Sequence, residues 1–366
     1  MNLLTFKTAL ILSALLLLQL LLPHGLQAQT PKEGKTLRVL QFNIWQEGTV
    51  VEGGFQAVVD EIIRTGADLV CLSEVRNYNN SRLDQRLVEA LAAKGHRYYA
   101  DKSLDSGILS RYPIKQQWDF FPVIDDKGSI TKALIDLDGH EVALYSAHLD
   151  YRHCSLYLPR GYDGSTWDEL PAPICDTAMI AADNLKSNRD EAIDAFIKDA
   201  EMERQRGRLV ILGGDFNEPS HLDWTNATKD LADHRGLVIQ WRNTAELAKA
   251  GYMDAYRQIF PNPVTHPGYT FPANNPAVPL KKLAWSPKAD DRDRIDFIFY
   301  HPDPRLQLQD VKLVGPRGLV VRNQRLEETS CDPFDIPAGI WPTDHKAVLA
   351  TFLFKPKKQN QHNRKE

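Results

Sequence analysis

The sequence predicts an α/β fold in which short buried strands alternate with helices. Residues 36–43 and 67–74 are apolar runs, rich in residues suited to strands, and each run ends at a polar side chain. Between them, residues 55–66 carry apolar side chains at helical spacing. A strand, helix, strand order follows from these three segments.

A later segment, residues 188–206, continues this alternation with a longer helix. Asn188 and Glu191 have the spacing of a capping pair at the start of a helix. An apolar stripe follows at Ile193, Phe196, Ile197 and Ala200. We therefore expect a helix that packs one face against a sheet.

The run ILGGDFN at residues 211–217 ends in a carboxylate and an amide two residues apart. Alternation in an extended chain would put Asp215 and Asn217 on one face. There, one group can orient a water molecule while the other holds an anionic oxygen, which is the chemistry of phosphoester cleavage. The alternative is structural, because a Gly-Gly-Asp sequence often forms an Asx turn at the end of a strand.

Other strand-like segments also deliver polar side chains. The candidate residues at or near their ends are Asn43, Glu74, His148, Asp296, Asp344 and His345. A single histidine in such a place is more often a structural group than a catalyst. Six separate segments that offer carboxylates, amides and imidazoles indicate one shared site.

The motifs around these residues resemble a known family. They are QFN at 41–43, SEV at 73–75, SGILSRYPI at 106–114, SAHLD at 146–150, GGDFN at 213–217, MDAYR at 253–257, GYTFP at 268–272, RIDFIF at 294–299 and TDH at 343–345. The set resembles the endonuclease/exonuclease/phosphatase superfamily, which includes DNase I-like nucleases, sphingomyelinases and inositol-polyphosphate 5-phosphatases. The resemblance implies a four-layer α/β/β/α sandwich of two packed mixed sheets.

The resemblance also implies roles for the residues that match its motifs. Glu74 would bind a divalent metal ion, with Asn43 and Asp344 close to it or sharing that task. Asp215 would orient and deprotonate the attacking water, and Asn217 would hold a phosphate oxygen. Oxygen ligands suit Mg²⁺ or Mn²⁺, and none of the four cysteines forms the C-x-x-C pair typical of zinc sites.

Two histidines complete the implied set. His148 would contact the phosphate from the other side. His345, oriented by the carboxylate of Asp296, would stabilise charge on the phosphoryl group. An alternative makes the pair of His345 and Asp296 the general base, and the sequence leaves both roles open.

The first 28 residues predict a signal peptide. Lys7 supplies a positive charge, residues 9–22 are nearly all apolar, and Ala28 precedes a suitable cleavage position. The alternative is a membrane anchor, but the apolar run is shorter than the ~20 residues that a spanning helix needs. We expect an exported chain, periplasmic or secreted, without a stable membrane span. In an oxidising compartment, Cys154 and Cys175 can form a disulfide bond.

Charge and length bound the remaining possibilities. The formal net charge is −4, so the chain lacks the overall basic footprint of a duplex-DNA binder, and nucleic acid is the less favoured partner. The concentrated positive run lies in the polar tail, residues 355–366. Candidate site residues extend from 43 to 345 without a linker between them, which predicts a single domain over residues 29–354 and a monomer.

Residues 151–187 form an insertion beside the expected phosphate position. Tyr151, Arg152 and Arg160 are candidate substrate-binding residues, because arginine clamps anions and aromatic rings can stack on a sugar or cover a lipid head group. The alternative is that these side chains pack the insertion onto the protein. Pro159, Pro171 and Pro173 oppose regular secondary structure there.

These observations predict an exported, metal-dependent phosphoesterase. Its substrate would be a phosphodiester or phosphomonoester of a small molecule or a lipid head group. One alternative is a secreted nuclease with the same catalytic groups. Another is a non-catalytic module that binds a glycan or an anion, although a pure binder has no need of Asp215.

Overall fold

The computed structural model describes residues 34–356. The predicted signal peptide, residues 1–28, and all but two residues of the predicted tail lie outside this range. Within it, the chain contains no helix that is both long enough and apolar enough to cross a membrane.

Between residues 34 and 356 the chain forms fourteen strands: β1 Lys35–Asn43, β2 Leu69–Val75, β3 Asp105–Ser110, β4 Ile114–Phe121, β5 Gly128–Leu137, β6 His140–Leu149, β7 Leu209–Asp215, β8 Met253–Asp254, β9 Asp296–Tyr300, β10 Leu306–Val314, β11 Leu319–Val321, β12 Gln324–Leu326, β13 Phe334–Asp335 and β14 Ala347–Phe354. The same range contains six α-helices: α1 Gly54–Thr65, α2 Leu83–Ala93, α3 Thr177–Asn184, α4 Arg189–Gln205, α5 Arg242–Lys249 and α6 Ala255–Ile259. Short 3-10 helices occupy Gln46–Gly48, Tyr78–Asn80, Ser155–Arg160 and Leu280–Lys282.

Two six-stranded mixed sheets form the centre of the molecule. The first has the order β13-β10-β14-β1-β2-β3, and the second has the order β4-β5-β6-β7-β9-β8. In each sheet one central pair is parallel, β1 with β2 and β6 with β7, while most other pairs are antiparallel. Strands β11 and β12 form a separate small hairpin.

The alternation of side chains along the central strands creates three apolar layers. In β1, Leu37 and Val39 face the second sheet, whereas Leu40 and Phe42 face helices α1 and α2. Helices α4 and α5 cover the outer face of the second sheet, where Phe196 is fully buried. The four-layer α/β/β/α sandwich is therefore confirmed.

Most of the predicted elements are present. The strands β1, β2, β6, β7, β9 and β14 and the helices α1 and α4 occupy the expected segments. The prediction of a capping pair before α4 is wrong in one respect. Asn188 does lie at the N-cap, but its side chain makes no capping hydrogen bond.

The insertion is more ordered than its prolines predict. It contains the 3-10 helix Ser155–Arg160, which includes Pro159, and helix α3. Asp176 caps α3 by accepting hydrogen bonds from the backbone N–H groups of Ala178 and Met179. The apolar side chains of the insertion pack with Trp224 and Trp241 in a cluster separate from the core between the sheets. The insertion is thus a packed substructure, and the expectation that it lacks regular secondary structure is wrong.

Candidate active site

The inward faces of the central strands change from apolar to polar at one end of the sandwich. In β7, Leu209 and Ile211 belong to the core between the sheets, and two further alternations lead to Asp215. The register places Asp215 beside His148 of β6 and beside Asp296 of β9. The same alternation that builds the core therefore aims these side chains into the space between the sheets.

The sheets lie close together at this end. A Cβ atom on Gly213 would lie 2.8 Å from the sulfur of Cys71, which belongs to the opposite sheet. Only glycine fits such an approach, which explains one of the two glycines before Asp215.

The amide of Asn43 joins the two sheets at the centre of the site. Its Nδ2 donates to Glu74 Oε1 at 3.1 Å and to Asp215 Oδ2 at 2.9 Å, and it lies 3.4 Å from His345 Nε2. Three residues separated by almost the whole chain thus meet one common group. The Oδ1 atom of Asn43 accepts a hydrogen bond from the backbone N–H of Trp45 at 2.9 Å. In this geometry Asn43 supports the carboxylates as a donor, and its share in metal ligation stays a prediction.

The predicted alternation of Asp215 and Asn217 on an extended chain is wrong. Strand β7 ends at Asp215, and Asn217 has a left-handed backbone with φ of 49°. The backbone N–H of Asn217 donates to Asp215 Oδ1 at 2.9 Å, which is the Asx turn named as the alternative. Its side-chain amide donates to the carbonyl of Leu149 at 3.0 Å. Both residues nevertheless line the cleft, because the turn brings Asn217 back beside Asp215.

His345 is held by Asp296 as the sequence indicates. Its Nδ1 lies 2.9 Å from Asp296 Oδ2, and its Nε2 lies 3.8 Å from Asp215 Oδ2. Although burial disfavours the charged ring, the carboxylates of Asp296 and Asp215 raise the pKa of His345 to about 10. The imidazole is therefore positively charged at neutral pH.

His148 has a matching partner that sequence reasoning missed. Its Nδ1 lies 2.8 Å from Asp105 Oδ1, and the same oxygen accepts a hydrogen bond from Arg76 at 2.8 Å. Although burial opposes it, the carboxylate of Asp105 raises the pKa of His148 to about 9. Asp105 directly precedes the SGILS motif, which is the signal that could have found it.

Glu74 and Asp344 bring further negative charge to the site. Glu74 sits where the pairing of β2 with β3 shifts register, with φ of 70°, and its Oε2 accepts from the backbone N–H of Gln46 at 2.8 Å. A non-glycine residue in this conformation is strained, as is common at functional sites. Burial and the nearby Glu74 carboxylate raise the pKa of Asp344 to about 7. Burial, with the carboxylate of Asp296, raises the pKa of Asp215 to about 6.

Crowded carboxylates of this kind fit a hard divalent cation, which would neutralise them through oxygen ligands. Another group of potential ligand atoms, from Asp215, Asp296 and His345, lies within 4.8 Å of one another. His345 already uses Nδ1 to bind Asp296, however, so these two residues act on each other. Metal binding by Glu74 and Asp344 stays a prediction.

The candidate residues of the insertion separate into three cases. Arg160 is buried, and its guanidinium donates to Asp293 at 2.6 Å and to the carbonyls of Ala232 and Asp290 at 3.0 Å. It has no group left for a substrate, so the prediction of an anion clamp at Arg160 is wrong. Arg152 donates to Asp150 and to the carbonyl of Asp125 and does not line the cleft, which also contradicts an anion clamp. Tyr151 does line the cleft, as expected.

The expected disulfide bond is absent. Cys154 is buried, and its Sγ donates to the carbonyl of Asn217 at 3.0 Å, whereas Cys175 is an exposed free thiol. The reason is that Cys154 contacts the turn formed by Asp215 and Asn217, while Cys175 is exposed to solvent.

The site opens into a cleft of about 280 Å³. We call its polar base, formed by Glu74, His148, Asp215 and His345 together with Asn43, which donates to Glu74 and Asp215, the floor. We call the rings of Tyr151, Tyr157, Trp167 and Trp285 the aromatic wall; all four line the same cleft. Trp285 and Phe271, which also line it, come from residues 261–288, far from the insertion in sequence.

Comparisons with known proteins identify the family of this chain. The sequence model of the Endonuclease/Exonuclease/phosphatase family matches residues 40–345. An uncharacterized protein of Caenorhabditis elegans is 29% identical over 327 residues, which cover 87% of this chain and 91% of that protein.

Solved structures of low sequence identity are also similar. An endonuclease/exonuclease/phosphatase from Beutenbergia cavernae is 17% identical, with 87% of this chain and 72% of that chain covered and a TM-score of 0.48. TDP2 of D. rerio, solved with a single-strand DNA product, is 16% identical, with 87% and 99% covered and a TM-score of 0.49.

The carboxylates and charged imidazoles of the floor are suited to the hydrolysis of phosphoric esters. The chain belongs to the Endonuclease/Exonuclease/phosphatase family. It is therefore an enzyme of that class, a metal-dependent hydrolase that acts on phosphoric esters.

Proposed function

We propose that this enzyme is an exported, Mg²⁺-dependent phosphoesterase that cleaves a phosphodiester or phosphomonoester of a small or lipid-derived substrate. The observation that carries the proposal is the contact of one amide, that of Asn43, with Glu74, Asp215 and His345. Groups that can hold a metal ion, orient a water molecule and offset negative charge thus lie around a single point.

Glu74 and Asp344 would hold the metal ion, and their oxygen donors favour Mg²⁺ or Mn²⁺ over zinc. When bound, the ion would offset the charge that develops on the phosphoryl oxygens during in-line attack. The elevated pKa of Asp344, which reflects burial next to Glu74, supports this position. Mutual repulsion of these carboxylates would fall on ion binding.

Asp215 would orient and deprotonate the attacking water. Hydrogen bonds from Asn43 and from the backbone of Asn217 fix its carboxylate. Burial raises the pKa of Asp215 to about 6, so it is a stronger base at neutral pH than an ordinary aspartate. The side-chain amide of Asn217 uses one hydrogen on Leu149 and has a second hydrogen for a phosphate oxygen.

His345 and His148 would contact the phosphate as cations. A pKa of about 10 for His345, caused by Asp296 and Asp215, favours charge stabilisation over the general-base role that the sequence left open. His148, with a pKa of about 9 through Asp105, would act in the same way. Two imidazolium groups beside the reacting phosphorus suit an oxyanion-stabilising mechanism.

The dimensions and charge of the cleft favour a small substrate. A single arginine, Arg76, lines the cleft, and it is already paired with Asp105 and Asp126. A nuclease needs positive groups for the phosphates that flank the cleaved bond. The D. rerio relative binds a DNA product, so nucleic acid belongs in the test as the competing substrate.

A substrate panel tests the proposal. Plasmid DNA, RNA, bis-p-nitrophenyl phosphate, inositol phosphates and sphingomyelin are compared with Mg²⁺, with Mn²⁺ and with excess EDTA. We expect metal-dependent cleavage of a small or lipid-derived ester and its loss in EDTA. Nicking of DNA as fast as the best small ester would favour a nuclease instead, and full activity in EDTA would contradict the metal assignment.

Export is a separate part of the proposal. Its support is the sequence of residues 1–28, with Lys7 before an apolar run and Ala28 before the cleavage position. Expression of the full chain followed by fractionation and intact-mass measurement tests it. A mature chain that begins after residue 28 is expected, whereas an uncleaved cytosolic chain would contradict export.

A further inference from the structure

The aromatic wall surrounds one part of the cleft with rings in different orientations. The Trp167 ring is nearly parallel to that of Tyr151, with centroids 6.1 Å apart and an interplanar angle of 8°. It is nearly perpendicular to Tyr157, at 79°, and tilted by 52° from Trp285, whose centroid is 4.9 Å away. Electron-rich faces gathered in this manner attract organic cations.

A buried carboxylate lies beside these rings. Asp291 is 4% exposed, lines the cleft, and accepts a hydrogen bond at 2.5 Å from the hydroxyl of Ser286, the residue after Trp285. Among residues 34–356, no basic side chain forms an ion pair with Asp291 within 4.0 Å. The guanidinium of Arg160 acts on Asp291 only from beyond that distance and is paired with Asp293, and burial raises the pKa of Asp291 to about 7. A cationic ligand beside Asp291 would supply the missing adjacent charge and favour its ionised form.

The charge around the cleft decides between classes of ligand. Its lining contains six carboxylate residues, Glu74, Asp126, Asp215, Asp291, Asp293 and Asp344, and one arginine, Arg76. A divalent ion at the floor and two charged imidazoles would balance the carboxylates near the reacting phosphate. The carboxylate of Asp291 at the aromatic wall remains, so a second anionic group of the substrate would be repelled there and a cationic group attracted.

We propose that the substrate is a phosphoester whose alcohol portion carries an amine or quaternary ammonium group, with the phosphate on the floor and the cation between the aromatic wall and Asp291. This inference rests on the proposed function and specifies its substrate class. The same chemistry occurs in free phosphorylated amino alcohols and in lipid head groups.

Matched substrates test the proposal directly. Phosphocholine is compared with 3,3-dimethylbutyl phosphate, its neutral isostere, and p-nitrophenyl phosphocholine with the corresponding 3,3-dimethylbutyl diester. We expect kcat/KM to be at least about tenfold higher for the cationic member of the pair that the enzyme cleaves. Equal or higher values for the neutral member would overturn the proposal.

Variants of cleft residues test which side chains cause the preference for a cationic substrate. Trp285→Leu and Asp291→Asn should each reduce the ratio of cationic to neutral kcat/KM to about one. Trp118→Leu, which removes another partly exposed tryptophan outside the cleft, should leave the ratio unchanged. A ratio that survives both cleft substitutions in folded protein would overturn the location.

Binding without turnover gives an independent measurement. Tetramethylammonium chloride should quench tryptophan fluorescence of the intact enzyme with saturation, whereas sodium chloride at equal ionic strength should not. Trp285→Leu should weaken this saturation, and a linear response in the wild-type enzyme would overturn cation binding at the aromatic wall.

The outcomes separate the two proposals. Metal-dependent cleavage of neutral and cationic esters at equal rates leaves the proposed function intact and overturns the substrate class. Inertness towards every ester overturns the proposed function and the substrate class together. Cleavage of phosphatidylcholine or sphingomyelin vesicles but not of soluble esters assigns the cation to a lipid head group, and the converse assigns it to a free phosphorylated amino alcohol.

Discussion

The floor of the cleft is built at the ends of central strands, whereas the aromatic wall comes from two distant segments that lie between strands. On the floor, Asp215 accepts a hydrogen bond from Asn43 of the opposite sheet, and His345 is held by the carboxylate of Asp296. Behind the wall, Tyr157 packs in an apolar cluster with Trp224. The floor thus depends on charged hydrogen bonds and the wall on packing, so substitutions in the two regions should have different consequences.

The largest effect is expected on the floor. Asp215→Asn keeps the size of the side chain and one acceptor oxygen but removes the base, so kcat should fall by about 10³-fold. Steady-state kinetics on the best substrate, with circular dichroism to check folding, measures this. Asp230→Asn, on an exposed aspartate, is the matched control. A variant that keeps a tenth or more of the wild-type kcat would contradict the assignment of Asp215.

The next largest effect is expected behind the wall. Arg160→Met removes a buried guanidinium and leaves Asp293 with an unpaired charge, so the free energy of unfolding should fall by about 3 kcal/mol. Urea denaturation measures the change, and Arg204→Met, at an arginine whose partner Glu201 is exposed, should stay close to wild type. A normal unfolding free energy combined with a raised KM would restore Arg160 as an anion clamp.

A smaller effect should follow when a histidine of the floor loses its positioning residue. Asp105→Asn should lower kcat on the order of 10- to 100-fold, because His148 loses the carboxylate that orients it. The pKa of His148 should also fall from its raised value, so activity should decline at a lower alkaline pH. A pH–rate profile distinguishes this from simple destabilisation, and Asp101→Asn, at an exposed aspartate, is the control. An unshifted alkaline limb would remove Asp105 from the mechanism.

The smallest effect concerns acid stability behind the wall. His234 is buried, with its ring centroid 3.8 Å from that of Trp224, and burial, reinforced by Arg160, lowers the pKa of His234 to about 3. Below the unfolded-state pKa of about 6.5, the unfolded chain binds a proton that the folded protein does not, so folding stability falls as the pH falls.

Between pH 7.5 and 5.5 this loss amounts to about 1.4 kcal/mol. His234→Phe keeps a stacking ring without a titrating group, and the pH dependence of its unfolding free energy should be smaller by that amount. Denaturation curves at the two pH values measure the difference. An identical pH dependence in both proteins would show that His234 titrates normally.

The floor was largely predictable from the sequence because strand periodicity and motif chemistry act together there. Asn43 and Asp215 follow apolar inward positions of β1 and β7, and Asp296 begins β9, in which Ile298 and Tyr300 belong to the same core. The two-residue alternation of side chains along a strand therefore predicts both the core residues and the site residues. Asp105 directly precedes the SGILS motif, but its approach to His148 depends on the register shift between β2 and β3, which the motif alone does not specify.

The wall was predictable only in composition. Tyr151 and Arg160 were equally plausible from their chemistry, yet Tyr151 lines the cleft and Arg160 is buried on backbone carbonyls. Residue type indicates what a side chain can bind, but the long-range packing of a loop decides what it meets. The contact of Trp285 with Trp167, more than a hundred residues away in sequence, is likewise set by the three-dimensional fold.

The hydrogen bond from Cys154 to the carbonyl of Asn217 ties the insertion to the turn that follows Asp215. A loop that selects the ligand is thereby mechanically connected to the residue that performs the chemistry. Grafting a different loop onto this scaffold to obtain a new specificity would also disturb the hydrolytic step, unless the graft preserves that thiol anchor.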